Sequence, residues 1–294
     1  MTDAVVLLVA GPEVPDPDRW RARLDDLVPG GAAILVDSPA ALPAALDAAA
    51  PAHPGATPVV VPLATTRHPG PIADCAKALR WARDREGVRA CLTAPLGDAT
   101  AVVSALRANM RRRPAPGAWT LVASAALDPF SDAELFRLAR LAWQYGGSPV
   151  EVAFDGAEPS VAAGVGRCRA LAGDPAADVR VLRADLALEP GDAAPLWSVP
   201  ALAMLIGVRV REALHLLESH DDDGIDAALL ADHDHGHAHS HGDEGGHGHA
   251  HAHGHHHGAH GHHHHGHHHH HDHHDGGAAG DGALTFTWKE GEHE

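Results

Sequence analysis

Short, wholly apolar runs separated by segments of helical spacing constrain this chain more than any other feature. Residues 5–9 read Val-Val-Leu-Leu-Val, too short for a buried helix and too apolar for a strand with one wet face, and Gly11-Pro12 closes the run. The runs at 32–36 and 58–63 have the same character, and 88–93, Val-Arg-Ala-Cys-Leu-Thr, reads as a fourth strand. Between them the spacing predicts helices over 18–27, 39–50, 72–83 and 98–111, the first with Trp20, Leu24 and Leu27 on one face. Apolar strands alternating with helices predict an α/β fold whose parallel sheet is covered on both faces.

The pattern then starts again. Trp119-Thr-Leu-Val-Ala123 echoes the opening run, Asp128-Pro129 echoes Asp16-Pro17, and Phe136-Arg137 matches Trp20-Arg21. Gly146-Gly147 matches Gly30-Gly31, and Asp155 ends a strand as Asp37 ends its counterpart. The offsets drift from 112 to 118, a change that small insertions explain, so an internal duplication is the economical reading. It predicts two similar Rossmann-like lobes, residues 1–113 and 117–219, facing each other across a ligand cleft.

Beyond residue 219 the composition changes abruptly. Between His233 and His274 lie 24 of the 29 histidines, spaced by Gly, Ala and Asp. Such a sequence cannot bury enough apolar surface to offset its ordering entropy, and residues 220–282 are expected to be a disordered tail. Residues 283–294 follow, opening with Ala283-Leu-Thr-Phe-Thr-Trp288, which alternates like a short strand. The alternating imidazoles of His233, His235, His237, His239, His241, His247, His249, His251 and His253 are the strongest chemical signal in the chain. On a mobile backbone, two to four of them wrap one borderline divalent ion, in Irving–Williams order and with little selectivity. Each must lose its proton to bind, so loading weakens below pH ~6.5. His215, Glu218 and His220 offer a weaker ligand set at the base of the tail or simply a solvated helix end. His53, in a Pro/Ala/Gly loop, reads as solvated.

Other partners are disfavoured. Lys and Arg total 22 against 39 acidic residues, a formal charge of -17, which argues against nucleic acid. Cys75, Cys91 and Cys168 form no CxxC pair and predict neither a disulfide framework nor a cysteine zinc site. No run reaches a membrane span, because Arg209 and Arg211 interrupt the apolar stretch after residue 199. Asp3 stands where a signal peptide carries a cation, so a cytoplasmic location is expected.

Val150-Glu-Val-Ala-Phe-Asp-Gly-Ala-Glu-Pro-Ser160 is similar to the second strand and following turn of class II tetrapyrrole chelatases, which include the cobalt-inserting (CbiX-type) sirohydrochlorin chelatases of cobalamin synthesis. Val59-Val-Val-Pro-Leu63, then His68, Asp74 and Ala94-Pro-Leu-Gly97, resembles the third and fourth strands of that family. The resemblance covers about residues 4–217 and implies insertion of a divalent metal, without ATP, into a sirohydrochlorin-like tetrapyrrole held between the lobes. It favours Co²⁺, with Ni²⁺ and Zn²⁺ as rivals. It also implies a histidine that takes pyrrole N–H protons and passes the ion over, a task suited to imidazole.

On this chain the resemblance nominates His68 as base and metal ligand, with Glu13 as a carboxylate beside it. Glu158, in the matched turn, is nominated as a cleft carboxylate or as a helix N-terminal carboxylate favoured by the dipole. The first turn, Gly11-Pro12-Glu13-Val14, carries proline where the family carries histidine, and Ser124-Ala-Ala-Leu127 has no histidine either. A non-catalytic metal store or metallochaperone on the same scaffold is therefore the alternative. A metal-regulated module binding a small molecule is a third reading.

Overall fold

The computed structural model describes residues 3–112, 118–146, 148–189 and 193–234. In chain order the elements are β1 (Ala4–Val9), α1 (Pro17–Arg21), α2 (Leu24–Leu27), β2 (Ala32–Val36), a 3₁₀ turn (Pro39–Ala41), α3 (Leu42–Ala52), β3 (Thr57–Pro62), α4 (Gly70–Glu86), β4 (Cys91–Leu92) and α5 (Ala99–Arg112). Then come β5 (Trp119–Ala125), α6 (Pro129–Gly146), β6 (Val150–Asp155), α7 (Val161–Ala172), β7 (Val179–Arg183), β8 (Ala194–Pro195), α8 (Val199–His220) and α9 (Ile225–Asp234).

Two four-stranded parallel sheets result, ordered β2-β1-β3-β4 and β6-β5-β7-β8. β1 is buried from Val5 to Val9 because β2 and β3 flank it, in register Val6↔Ala33 and Val6↔Val59, while helices cover both faces. β5 repeats this, with Val122 opposite Val152 and Leu182. The expected α/β architecture and its duplication are thus present. The duplicated Asp-Pro pairs are helix starts: Asp16 Oδ1 accepts the amide of Arg19 at 3.1 Å, and Asp128 Oδ1 those of Phe130 at 2.9 Å and Ser131 at 3.1 Å. A carboxylate there takes up amides the first turn cannot satisfy, and proline loses nothing at the next position.

Four boundaries differ from expectation. The segment 18–27 forms two short helices, and the 88–93 run pairs only at Cys91 and Leu92. α8, expected to close the second lobe at 219, crosses onto the first, where Ala213 and Leu217 pack with Val59 and Cys91. Residues 225–234, expected to lie within the disordered tail, are helical. Ile225 is buried in the apolar cluster of Cys75, Ala76 and Leu79, and that burial orders the segment. Residues 235–294, with the other histidines nominated in the tail and the run 283–288, lie outside the described residues.

The lobes are fused rather than separate. Val6, Leu8, Leu96, Val103 and Leu106 share one continuous apolar cluster with Val122, Leu138, Ala142 and Val152. The indole of Trp20 donates to Leu186 O at 2.9 Å, and the Leu186 amide donates to Glu13 O at 2.8 Å. No helix among the described residues is long and apolar enough to cross a membrane.

Candidate functional site

Strand order reverses between β1 and β3, so the chain leaves their C-terminal ends toward opposite faces and opens a crevice there, a common place for ligands in open α/β sheets. The turn after β1 carries Glu13, and the turn after β3 carries Thr65, Arg67 and His68. A cleft of about 940 Å³ opens beside them. Its walls are the 66–70 turn with Ile72, residues 92–95 with Ala99, the start of α6, Leu216 near the end of α8, and Asp222, Gly224, Ala227 and Ala228 around the start of α9. The start of α6 contributes Asp128, Phe130, Ser131, Glu134 and Arg137 from the second lobe. Phe130 is 76% exposed, an unusual state for a phenylalanine beside a cavity.

Glu13 stands behind the turn, 1% exposed, and is not among the lining residues. Its Oε2 accepts the Thr65 amide at 2.6 Å, and its Oε1 accepts the Thr65 hydroxyl at 2.9 Å and Arg67 Nε at 3.3 Å. Arg67, 3% exposed, also reaches Ala125 O at 3.4 Å and Asp132 Oδ1 at 3.8 Å. With three donors on its two oxygens, this buried carboxylate organises the turn that presents His68.

His68 is partly exposed and lines the cleft. Its Nδ1 lies 3.1 Å from Ser131 Oγ and 3.4 Å from Asp128 Oδ2, both of the second lobe. Ser131 in turn donates its hydroxyl to Asp128 Oδ2 at 2.5 Å. That hydroxyl, the amides of Ser131 and Phe130, and nearby His68 hold the Asp128 carboxyl below the usual carboxylate range, against a smaller opposing effect of burial. Arg137 in the cleft wall is matched by Glu134, with both guanidinium contacts at 2.6 Å.

The remaining nominated residues fall elsewhere. Glu158 is exposed, is absent from the cleft lining, and accepts the Ser160 amide at 3.0 Å at the start of α7. His53 caps the end of α3. His215 and His220 meet edge to face with centroids 5.7 Å apart, and Ser219 Oγ lies 3.1 Å from His215 Nδ1. Among the described residues no group of three or more His, Cys, Asp or Glu side chains is arranged to hold a metal ion. The three cysteines are free and buried. Arg67, Ser131, Asp128 and Phe130 were not found by sequence reasoning; the one available signal was the Asp128-Pro129 echo.

No family model matches this chain, and no curated protein matches it. Among solved structures, SirB from Bacillus subtilis with Fe³⁺ superposes with a TM-score of 0.52 at 17% identity, covering 76% of this chain and 100% of that one. The sirohydrochlorin chelatase SirB from Bacillus subtilis subspecies spizizenii, in complex with cobalt, gives 0.49 at 16% identity over the same shares. The first of these superpositions, spanning the whole of that SirB chain, shows that the two sheets and their helices form the same α/β fold as SirB.

Proposed function

We propose that this protein is chelatase-like: it holds a sirohydrochlorin-like tetrapyrrole in the cleft and inserts or delivers a divalent ion, Co²⁺ in preference to Ni²⁺ or Zn²⁺. The observation that carries this reading is His68, an imidazole at the wall of a 940 Å³ cleft that is otherwise largely apolar and is built where the strand order reverses. That volume is near the upper end for small-molecule pockets and suits a broad planar ligand. Ile72, Leu92, Phe130 and Leu216 supply apolar contact to such a ligand. A fold shared with SirB, whose solved forms hold Fe³⁺ and cobalt, is consistent with the same reading.

Each pyrrole N–H must lose its proton as the ion enters. His68 receives that proton, or hands over the ion, through its ring nitrogen on the cleft side. The tail histidines His233, His235, His237, His239 and His241, with His247, His249, His251 and His253, gather the ions. α9 lines the cleft with Ala227 and Ala228 and ends at Asp234, directly before most of that sequence. Ions held on such a tether stand at an effective concentration of about a millimolar. A cytoplasmic setting belongs to the same proposal.

One observation favours the alternative store or metallochaperone. The turn after β1 offers Pro12 and a fully engaged Glu13, and so no free base. Anaerobic mixing of apo-protein, Co²⁺ and sirohydrochlorin, followed by absorption, separates the two. Chelation faster than the metal-only control, abolished in His68→Gln, supports the enzyme. No acceleration and no macrocycle affinity, with several ions lost on deleting 233–274, supports the store.

A further inference from the structure

Ser131 has one hydroxyl proton, and its geometry spends that proton on Asp128 Oδ2 at 2.5 Å. Toward His68 Nδ1, 3.1 Å away, the same oxygen can therefore only accept. Asp128 Oδ2, 3.4 Å from that nitrogen, is a carboxylate oxygen that already accepts the Ser131 hydroxyl, and toward Nδ1 it too is an acceptor. Both groups facing Nδ1 demand a proton from it. A neutral imidazole carries one N–H, so the other ring nitrogen, Nε2, is left with a free lone pair. Among the described residues nothing hydrogen-bonds to Nε2. Gly70 leaves space at that edge, where a Cβ would stand 3.8 Å from the nitrogen.

We infer that Asp128 and Ser131 are positioning residues of the second lobe that fix His68, in the first lobe, as the Nδ1–H tautomer and so present Nε2 as the proton acceptor and metal-passing atom of the cleft. Resting on the chelatase-like reading for its purpose, this gives the duplication a role. Asp128 begins α6 as Asp16 begins α1, but its second oxygen is turned to the other lobe's histidine, whereas Asp16 pairs with Arg19 at 2.8 Å. Proton transfer then runs one way: a pyrrole N–H bond breaks, an Nε2–H bond forms, and the charge on the resulting imidazolium faces Asp128.

The decisive measurement needs no macrocycle. A long-range ¹H–¹⁵N correlation spectrum of the metal-free full chain at pH 8, with His68 identified by loss of its signals in His68→Gln, reads the tautomer directly. The expected result is a protonated Nδ1 and an unprotonated Nε2. Asp128→Ala frees the Ser131 hydroxyl to donate to Nδ1 and is expected to move the proton to Nε2. Ser131→Ala leaves Asp128 as direct acceptor and is expected to keep it on Nδ1. Chelation by Asp128→Ala should fall about 10²-fold in kcat with KM for the macrocycle little changed. An Nε2–H tautomer in the wild type overturns the inference, and so does an unmoved tautomer in Asp128→Ala. Absence of chelation in the wild type, with the expected spectra, overturns instead the functional reading.

Discussion

Glu13 Oε1 and Arg67 Nε are 3.3 Å apart, and both side chains are withdrawn from water. The pair ties the turn after β1 to the turn after β3, and Arg67 extends it to Ala125 O of the second lobe. Removing the cation strands a buried carboxylate. Arg67→Met is therefore expected to cost about 3–5 kcal/mol, read as a lowered urea midpoint with an unchanged slope. A loss below about 1 kcal/mol would show that the pair is solvated.

At Gly224 the backbone has φ +74°, and an added Cβ would stand 2.3 Å from Leu92 O. The same bend places Asp223 O on the Leu92 amide at 2.8 Å and Asp223 Oδ2 on Arg83 Nη1 at 2.8 Å. Gly224→Ala should lift α9 from the cleft wall, at a cost of at least about 1–2 kcal/mol from the left-handed conformation alone. Hydrogen exchange should show faster exchange at Leu92 and through α9, and unchanged exchange in β5.

Phe130 separates binding from folding. It lines the cleft but is mostly exposed, so Phe130→Ser should leave the unfolding midpoint in place. An aromatic contact with a flat ligand contributes about 0.5–1.5 kcal/mol, so tetrapyrrole affinity measured by fluorescence titration should weaken roughly 2- to 10-fold. Unchanged affinity places the macrocycle elsewhere.

The cysteines are inert by burial. Desolvation, helped by Asp74 for Cys75 and by Asp223 for Cys91, pushes both thiols from 9.0 to about 12, and desolvation with Glu151 pushes Cys168 to about 11. At pH 8 the native protein should react with Ellman's reagent far more slowly than the unfolded chain. Because these pKa values are raised on folding, their contribution to stability is intact below pH 9 and is lost as pH climbs toward 11–12. Stability measured across that range should fall.

Asp128 works in the opposite direction. Its pKa is lowered on folding, chiefly by the Ser131 hydroxyl, so its contribution is present above the ordinary carboxylate value of ~4 and disappears as pH falls through the lower folded value. The stability gap between wild type and Asp128→Asn should shrink as pH drops below ~4. A gap constant from pH 7 to pH 3 would show that the carboxylate's charge contributes nothing.

The sequence alone determined the layered α/β architecture and its repetition. Strand runs such as 5–9 are apolar on both sides, and period and polarity are local properties that survive without coordinates. It also singled out His68 and the turn after β1. What it left open was partnership across distance. Glu13 is neutralised by Arg67, and His68 meets Ser131 and Asp128 from the other lobe, 63 positions away in the case of Ser131. No periodicity encodes such a meeting, because it depends on how the two sheets are set against each other by α5 and α6. The helix at 225–234 was hidden for a similar reason: ten residues are too few to hold a helix alone, and packing of Ile225, Ala228 and Leu229 on the cluster around α4 makes ordering it favourable.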